Sequence, residues 1–189
     1  MDVVGLHDDA SLDHAEAALR AGGTVVLPTD TVYGLATLPA HQQRLVELKG
    51  RPEAMPIAVL VASAEQAATL ATVTPVAARL AARFWPGPLT LVLPTDDGPT
   101  LGIRCPDAPW LQALAGRVGP FATTSANRHG EPTPVDGPAA AAALVEPPDL
   151  LVDGGPCAGT ASTVVDATGS SPIVLREGPI SRAEVDEVA

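Results

Sequence analysis

The chain's only lysine, Lys49, stands in Leu48-Lys49-Gly50-Arg51-Pro52, and every other cationic side chain among its 11 Lys+Arg is an arginine. The only tyrosine, Tyr33, lies in Thr29-Asp30-Thr31-Val32-Tyr33-Gly34, and the only asparagine, Asn127, in Thr123-Thr124-Ser125-Ala126-Asn127. A lysine ammonium is a compact point charge suited to phosphate, an arginine fork grips an anion with two parallel N–H groups, and hydroxyls and amides orient a polar ligand. Three polar clusters of this kind point to an anion-binding, nucleotide-type site. Lys49 and Arg51 together can neutralise a triphosphate; they also read as two solvated charges at a helix end. Ser125 and Asn127, two residues apart after a strand, face one side and can bond phosphate or ribose, or simply close a turn. Arg104 and Arg176 each end an apolar strand, where a guanidinium meets a carboxylate or forms a surface ion pair.

Elements must hold these residues in place, and their pattern is alternating. Strand-like apolar runs (24–27, 57–61, 89–93, 101–104, 150–152, 163–165 and 173–175) are separated by alanine-rich helical stretches, which predicts a sheet covered by helices. Ser11 is expected to cap a helix through Arg20, Thr74-Pro75 to start another, and Asp107 to cap the one carrying Trp110. The pairs Ser63/Gln66 and Ser181/Glu184 carry the spacing of capping boxes. Residues 28–35 read as a turn-like cluster. Residues 129–138, rich in Gly, Pro and Thr, read as a long loop over the site before a helix at 139–145.

Several functions are excluded. The lone lysine is followed by Gly50 and not by Ser or Thr, so there is no P-loop, and no Gly-x-Gly-x-x-Gly follows a strand. His7, His14, His41 and His129 are not paired as metal ligands, and Cys105 and Cys157 match no zinc or redox spacing. No Gly-x-Ser-x-Gly elbow presents a serine nucleophile. The net charge of −11 leaves tRNA or other RNA at most a weak or indirect contact. No run reaches the roughly 18 apolar residues of a membrane span, and nothing basic opens the chain, so no membrane contact and a cytoplasmic location are expected. At 189 residues, positions 1–189 read as one domain.

Taken in order, Pro28-Thr29-Asp30-Thr31-Val32-Tyr33-Gly34-Leu35, Lys49-Gly50-Arg51-Pro52, Trp85-Pro86-Gly87-Pro88-Leu89-Thr90, Arg104-x-Pro106, Ser125-Ala126-Asn127, Ser162-Thr163-Val164-Val165-Asp166 and Leu175-Arg176-x-Gly178 resemble the YrdC-like threonylcarbamoyl-AMP synthases. The resemblance implies a three-layer α/β fold, with helices on both sides of a twisted mixed β-sheet. It implies an enzyme, a nucleotidyltransferase that condenses L-threonine, bicarbonate and ATP into threonylcarbamoyl-AMP and pyrophosphate. A downstream threonylcarbamoyl transferase complex then uses the adenylate to modify tRNA. By position it makes Lys49, Arg51, Ser125 and Asn127 catalytic. The same four, with Thr90, Thr133 and Arg176, are implied to bind ATP, and Thr29, Tyr33, Arg104, Thr123 and Ser162 to bind threonine. Mg2+ is implied on the phosphates with no protein ligand assigned, Asp30 being the nearest acidic residue. Leu60 stands where some relatives carry histidine, and the chain reads as the short form without a second domain.

Overall fold

The structure is a computed structural model that describes residues 1–50, 52, 55–96 and 98–188; the expected phosphate contact Arg51 lies outside the described residues. Ten short strands are β1 (Asp2–Gly5), β2 (Val25–Leu27), β3 (Gly34–Thr37), β4 (Ala58–Leu60), β5 (Leu89–Leu93), β6 (Leu101–Arg104), β7 (Phe121–Ser125), β8 (Leu150–Asp153), β9 (Thr163–Asp166) and β10 (Ile173–Arg176). They join in one mixed sheet of order β1-β8-β2-β3-β7-β4-β6-β5-β9-β10. Pairing is parallel for β1/β8, β8/β2, β4/β6 and β5/β9 and antiparallel for the rest.

The helices are α1 (Ser11–Arg20), α2 (Gln43–Lys49), α3 (Ala64–Ala68), α4 (Pro75–Phe84), α5 (Pro109–Val118), α6 (Gly137–Ala142) and α7 (Arg182–Val188). Local chemistry sets most of their ends. Thr74 accepts from the Ala77 N–H and Asp136 from the Ala139 N–H, and a proline stands in the first turn of both α4 and α6. The expected capping boxes form: Glu184 accepts from the Ser181 N–H while Ser181 Oγ accepts from Glu184, and Ser63 accepts from Gln66. In the second case Gln66 Oε1 reaches one residue further back, to the Ala62 N–H. α2 stops at Gly50, whose φ of 58° no β-carbon-bearing residue adopts cheaply.

Two expected caps are not used. Ser11 is the first helical residue of α1, donates to the Leu6 carbonyl and accepts from the Trp110 indole, so its hydroxyl serves tertiary packing. Asp107 sits outside α5, which begins at Pro109 without a side-chain cap, and its N–H is drawn to Asp30 instead. Two strands were not anticipated. β1 starts within two residues of Met1, and β3 lies in what reads as a turn-like cluster because Gly34 and Ala36 carry no strand propensity.

The sheet has two unlike faces. Because side chains alternate, Val59, Leu91, Ile103 and Val165 fall on one face, under α3, α4 and α7. Val26, Leu35, Ala122 and Leu151 continue that face under α2 and α6. On the other face α1 and α5 cover Val25, Leu27, Ala36, Leu60, Phe121 and Val152. Those two helices cover the β1-to-β7 half and the Leu60 end of β4. The remainder of that face, over β7, β4, β6, β5 and β9, is open, and the cavity lies there.

Candidate active site

The open half-face bounds a cavity of about 430 Å³. Its floor follows the alternation of the strands: Thr123 and Ser125 from β7, Ala58 and Leu60 from β4, Gly102 and Arg104 from β6, Thr90 and Val92 from β5, Val164 and Asp166 from β9. Cross-strand register sets these residues side by side, with Ala58 opposite Thr123, Leu60 opposite Arg104 and Thr90 opposite Val164. Small residues hollow it out. A β-carbon on Gly34, which also lies on the wall, would come within 3.0 Å of Thr123 Oγ1. Gly102 leaves its place empty beside Thr90 and Ala58. A larger open depression between α3 and the β5–β6 turn contains no cationic residue among its described lining.

At one end stands Arg104, 6% exposed. Its Nε donates to the Gly87 carbonyl at 3.0 Å, one terminal nitrogen to Thr31 Oγ1 at 2.8 Å, and the other to the Asp30 carboxylate. Burial pulls its pKa below the usual arginine value and Asp30 pushes it back up. Arg176 lies close by, its Nε and a terminal nitrogen on the Ser162 carbonyl at 3.1 and 2.9 Å. Ser162 Oγ in turn shares a hydrogen bond of 2.9 Å with Thr90 Oγ1. Arg176 is also lowered, by burial first and by repulsion from Arg104 second. Two like charges that feel each other across a cavity favour an anion between them.

Toward the β7 end lies a second cluster. Lys49, 4% exposed, donates to the Ser125 carbonyl at 2.5 Å, the Asn127 carbonyl at 2.8 Å and Asn127 Oδ1 at 2.8 Å. Ser125 Oγ stands further off, at 3.5 Å. The Asn127 amide donates to the carbonyls of Arg128 and Glu131, and Ser125 Oγ donates to Asn127 Oδ1 at 2.6 Å. Lys49 is therefore not a solvated surface charge. It draws the 125–127 turn onto the end of α2, and Ser125 is the member of this trio on the cavity wall.

Of the residues expected at the site, Thr29, Thr90, Arg104, Thr123, Ser125, Ser162 and Arg176 line one cavity. Lys49 and Asn127 are bonded to that wall. Tyr33 is not on it. Its hydroxyl is fully buried, donates to the Gly155 carbonyl at 2.7 Å and accepts from the Gly154 N–H at 3.0 Å, beside Asp153. Burial and then Asp153 push it up to about 12, against the pull of Gly154. Tyr33 is thus hydrogen-bonded to the 153–155 segment beneath the turn and is not among the residues that line the cavity. Thr133 is half-buried in the 128–136 connection and stands off the wall. That connection is pinned by the His129 N–H on the Lys49 carbonyl and by the Cys157 N–H on the Val135 carbonyl.

A family profile for Sua5, YciO and YrdC, described as "Telomere recombination", matches residues 17–178. The chain belongs to the Sua5/YciO/YrdC family. A Mycobacterium tuberculosis protein provisionally named threonylcarbamoyl-AMP synthase is 40% identical over 188 residues, covering 92% of this chain and 87% of its own. The threonylcarbamoyl-AMP synthase of Bacillus subtilis is 36% identical over 96% of this chain, which spans 57% of that protein. Among solved structures, Sua5 of Pyrococcus abyssi, complexed with L-threonine, superposes with a TM-score of 0.92 at 33% identity, covering 100% of this chain and 61% of that one. The three-layer mixed α/β architecture expected from the sequence is the fold of this family.

For this Sua5/YciO/YrdC member, sequence reading left out Ala58, Val92, Gly102 and Asp166 on the cavity floor. Each lies two positions from a residue on the same floor, so strand alternation was the available signal. Asp30, the acidic residue nearest the phosphates by sequence, is bonded to Arg104.

Proposed function

We propose that the chain forms threonylcarbamoyl-AMP and pyrophosphate from L-threonine, bicarbonate and ATP, as a nucleotidyltransferase. The reading rests chiefly on one observation: the buried Arg104 guanidinium, the more exposed Arg176 and a row of hydroxyls line a single cavity that ends at the lysine-held Ser125 turn. Arg104 takes the threonine carboxylate, with Thr123 and Ser162 beside it and Leu60 offering an apolar surface in the same row. The amine is left free and condenses with bicarbonate to a carbamate, releasing water. A carbamate oxygen then attacks the α-phosphorus of ATP, forming one P–O bond as the bond to pyrophosphate breaks.

No side chain has to become covalently bound, so catalysis is positioning plus charge stabilisation. Arg176, Thr90 and Ser125 face the nucleotide, and Arg51 adds its charge to the pyrophosphate. Lys49 and Asn127 act through the turn they hold and through the buried ammonium's field. Among the described residues no group of three His, Cys, Asp or Glu is placed to hold a metal ion, and Asp30 is bonded to Arg104 and to the Asp107 N–H. Mg2+ therefore enters with ATP, held by the phosphates as part of the substrate.

The adenylate passes to a separate transferase that acts on tRNA, since a net charge of −11 disfavours a broad contact with an RNA backbone. Among the described residues no helix is long and apolar enough to cross a membrane, and ATP and tRNA place the work in the cytoplasm. The test is mass-spectrometric detection of threonylcarbamoyl-AMP. It is expected when ATP, threonine and bicarbonate are all present, and its absence from the complete mixture refutes the assignment.

A further inference from the structure

Arg104 carries five N–H groups, and three partners take three of them: Gly87 O on Nε, Thr31 Oγ1 on one terminal nitrogen and Asp30 Oδ1 on the other. One N–H therefore remains on each terminal nitrogen of an arginine that lines the cavity, enough for a carboxylate to be held by both. What decides which protons remain is the set of acceptors already in place. Gly87 O and Thr31 Oγ1 are neutral; Asp30 alone is charged, with its side chain 13% exposed. Its second oxygen accepts from the Asp107 N–H at 3.2 Å, so one carboxylate ties the turn after β2 to the segment after β6. The turn borders the cavity through Thr29, Thr31 and Val32, and the segment after β6 follows directly on Arg104, which lines it.

We infer that Asp30 is a positioning residue for the amino-acid carboxylate: it fixes the rotation of the Arg104 guanidinium so that two parallel N–H groups point into the cavity. This rests on the proposed threonine site and adds to it the residue that sets selectivity for a carboxylate. Thr31 supports the same orientation. Thr31 Oγ1 accepts from Arg104 and lies 2.9 Å from Thr29 Oγ1, which itself accepts from the N–H groups of Thr31 and Val32 and donates to the Val32 carbonyl. Thr29 is thus occupied with the turn and acts on the ligand through Thr31 and Arg104.

Neutralisation makes a competing demand. If Asp30 merely cancelled the arginine's charge, removing it would strengthen binding of any anion. If it orients the fork, removing it weakens binding of a planar carboxylate specifically. The two accounts predict opposite signs.

The experiment is calorimetric titration of L-threonine, L-threoninamide and ATP into the wild-type chain, Asp30→Ala, Asp30→Asn and Arg104→Ala. Asparagine keeps one acceptor but turns an N–H toward the Asp107 N–H, so it breaks the tie. The wild-type chain is expected to prefer threonine to its amide. In both Asp30 variants threonine affinity falls by roughly 10- to 100-fold, the range for losing a charge-assisted hydrogen bond, and the preference over the amide collapses. Affinity for the amide and for ATP stays within about twofold, a pattern that general unfolding of the site does not give. Threonine bound by Asp30→Ala as well as by the wild-type chain, or better, overturns the inference while leaving the functional reading intact. A wild-type chain that binds no threonine, or an Arg104→Ala variant that binds it normally, overturns the threonine site and the inference with it.

Discussion

Replacing Lys49 by methionine keeps nearly the same length and volume and removes the ammonium from a place where it is 4% exposed. The carbonyls of Ser125 and Asn127 and the Asn127 Oδ1 then lose their donor. A buried acceptor left unsatisfied costs about 1–3 kcal/mol. Part of this is returned, because a neutral side chain no longer carries the desolvation cost of a charge and because Oδ1 still accepts from Ser125 Oγ. The net loss comes to about 3 kcal/mol, within the 3–5 kcal/mol typical of breaking a buried charged network. For a domain of this size that lowers Tm by roughly 6–12 °C, out of a total stability of about 5–15 kcal/mol. The variant therefore stays folded at room temperature, but with the 125–131 turn released. Urea unfolding gives the global value, and amide exchange, faster at 125–131 than elsewhere, gives its location. Adenylate formation is lost. Lys49→Arg fares no better, because a planar fork cannot send three donors to these three oxygens. A methionine variant with a urea midpoint and slope equal to wild type, and with protection at 125–131 unchanged, would refute the argument that the ammonium holds the turn.

Tyr33 is the only tyrosine in the chain, so tyrosinate absorbance reports it alone. Its folded pKa of about 12 lies above the unfolded value near 10, so the neutral hydroxyl contributes stability that is fully present below about pH 10 and is lost as pH rises from about 10 to 12, up to about 2–3 kcal/mol in all. Tyr33→Phe removes that slope, and a wild-type chain whose tyrosine ionises near pH 10 while still folded contradicts the buried hydrogen-bonded hydroxyl. Gly102→Ala puts a β-carbon in ordinary contact with Thr90 and Ala58 at 3.6 and 3.7 Å, so it changes stability by less than about 1 kcal/mol, whereas Gly102→Leu fills the cavity and abolishes threonine binding with the fold kept. Binding of both ligands by Gly102→Leu would place the site elsewhere. Thr90→Val removes the partner of Ser162 Oγ and loosens Arg176, so KM for ATP rises several-fold while threonine affinity holds; the reverse pattern would exchange the two pockets.

Much of this architecture was legible because the local signals were unambiguous. Thr74-Pro75, Ser63/Gln66 and Ser181/Glu184 each specify a helix start through one side chain and one N–H. β5 and β6 match their apolar runs at both ends. What escaped was set by distant partners. Asp107 and Ser11 look like caps but are claimed by Asp30 and Trp110, 77 and 99 residues away in sequence. Tyr33 carries a reactive-looking hydroxyl in a polar cluster, yet the strand that follows it turns the ring inward onto Asp153 and Gly155. The role of Lys49 was half legible. Its singular identity marks the place, but only the register of β7 against β3 shows that its protons go to the protein's own oxygens. Gly102 and Ala58 carry no chemical signal at all, and they matter through the space that they leave.

In the proposed reaction one cavity receives both reactants, the amino acid at Arg104 and the nucleotide toward Ser125. A crystal structure of the chain with L-threonine and a non-hydrolysable ATP analogue tests this directly. Expected is the threonine carboxylate on both terminal nitrogens of Arg104, with the amine directed at the α-phosphate and the triphosphate running between Arg176 and Ser125. Threonine bound away from Arg104, or the two ligands in separate pockets with the amine out of reach of the α-phosphate, would contradict it.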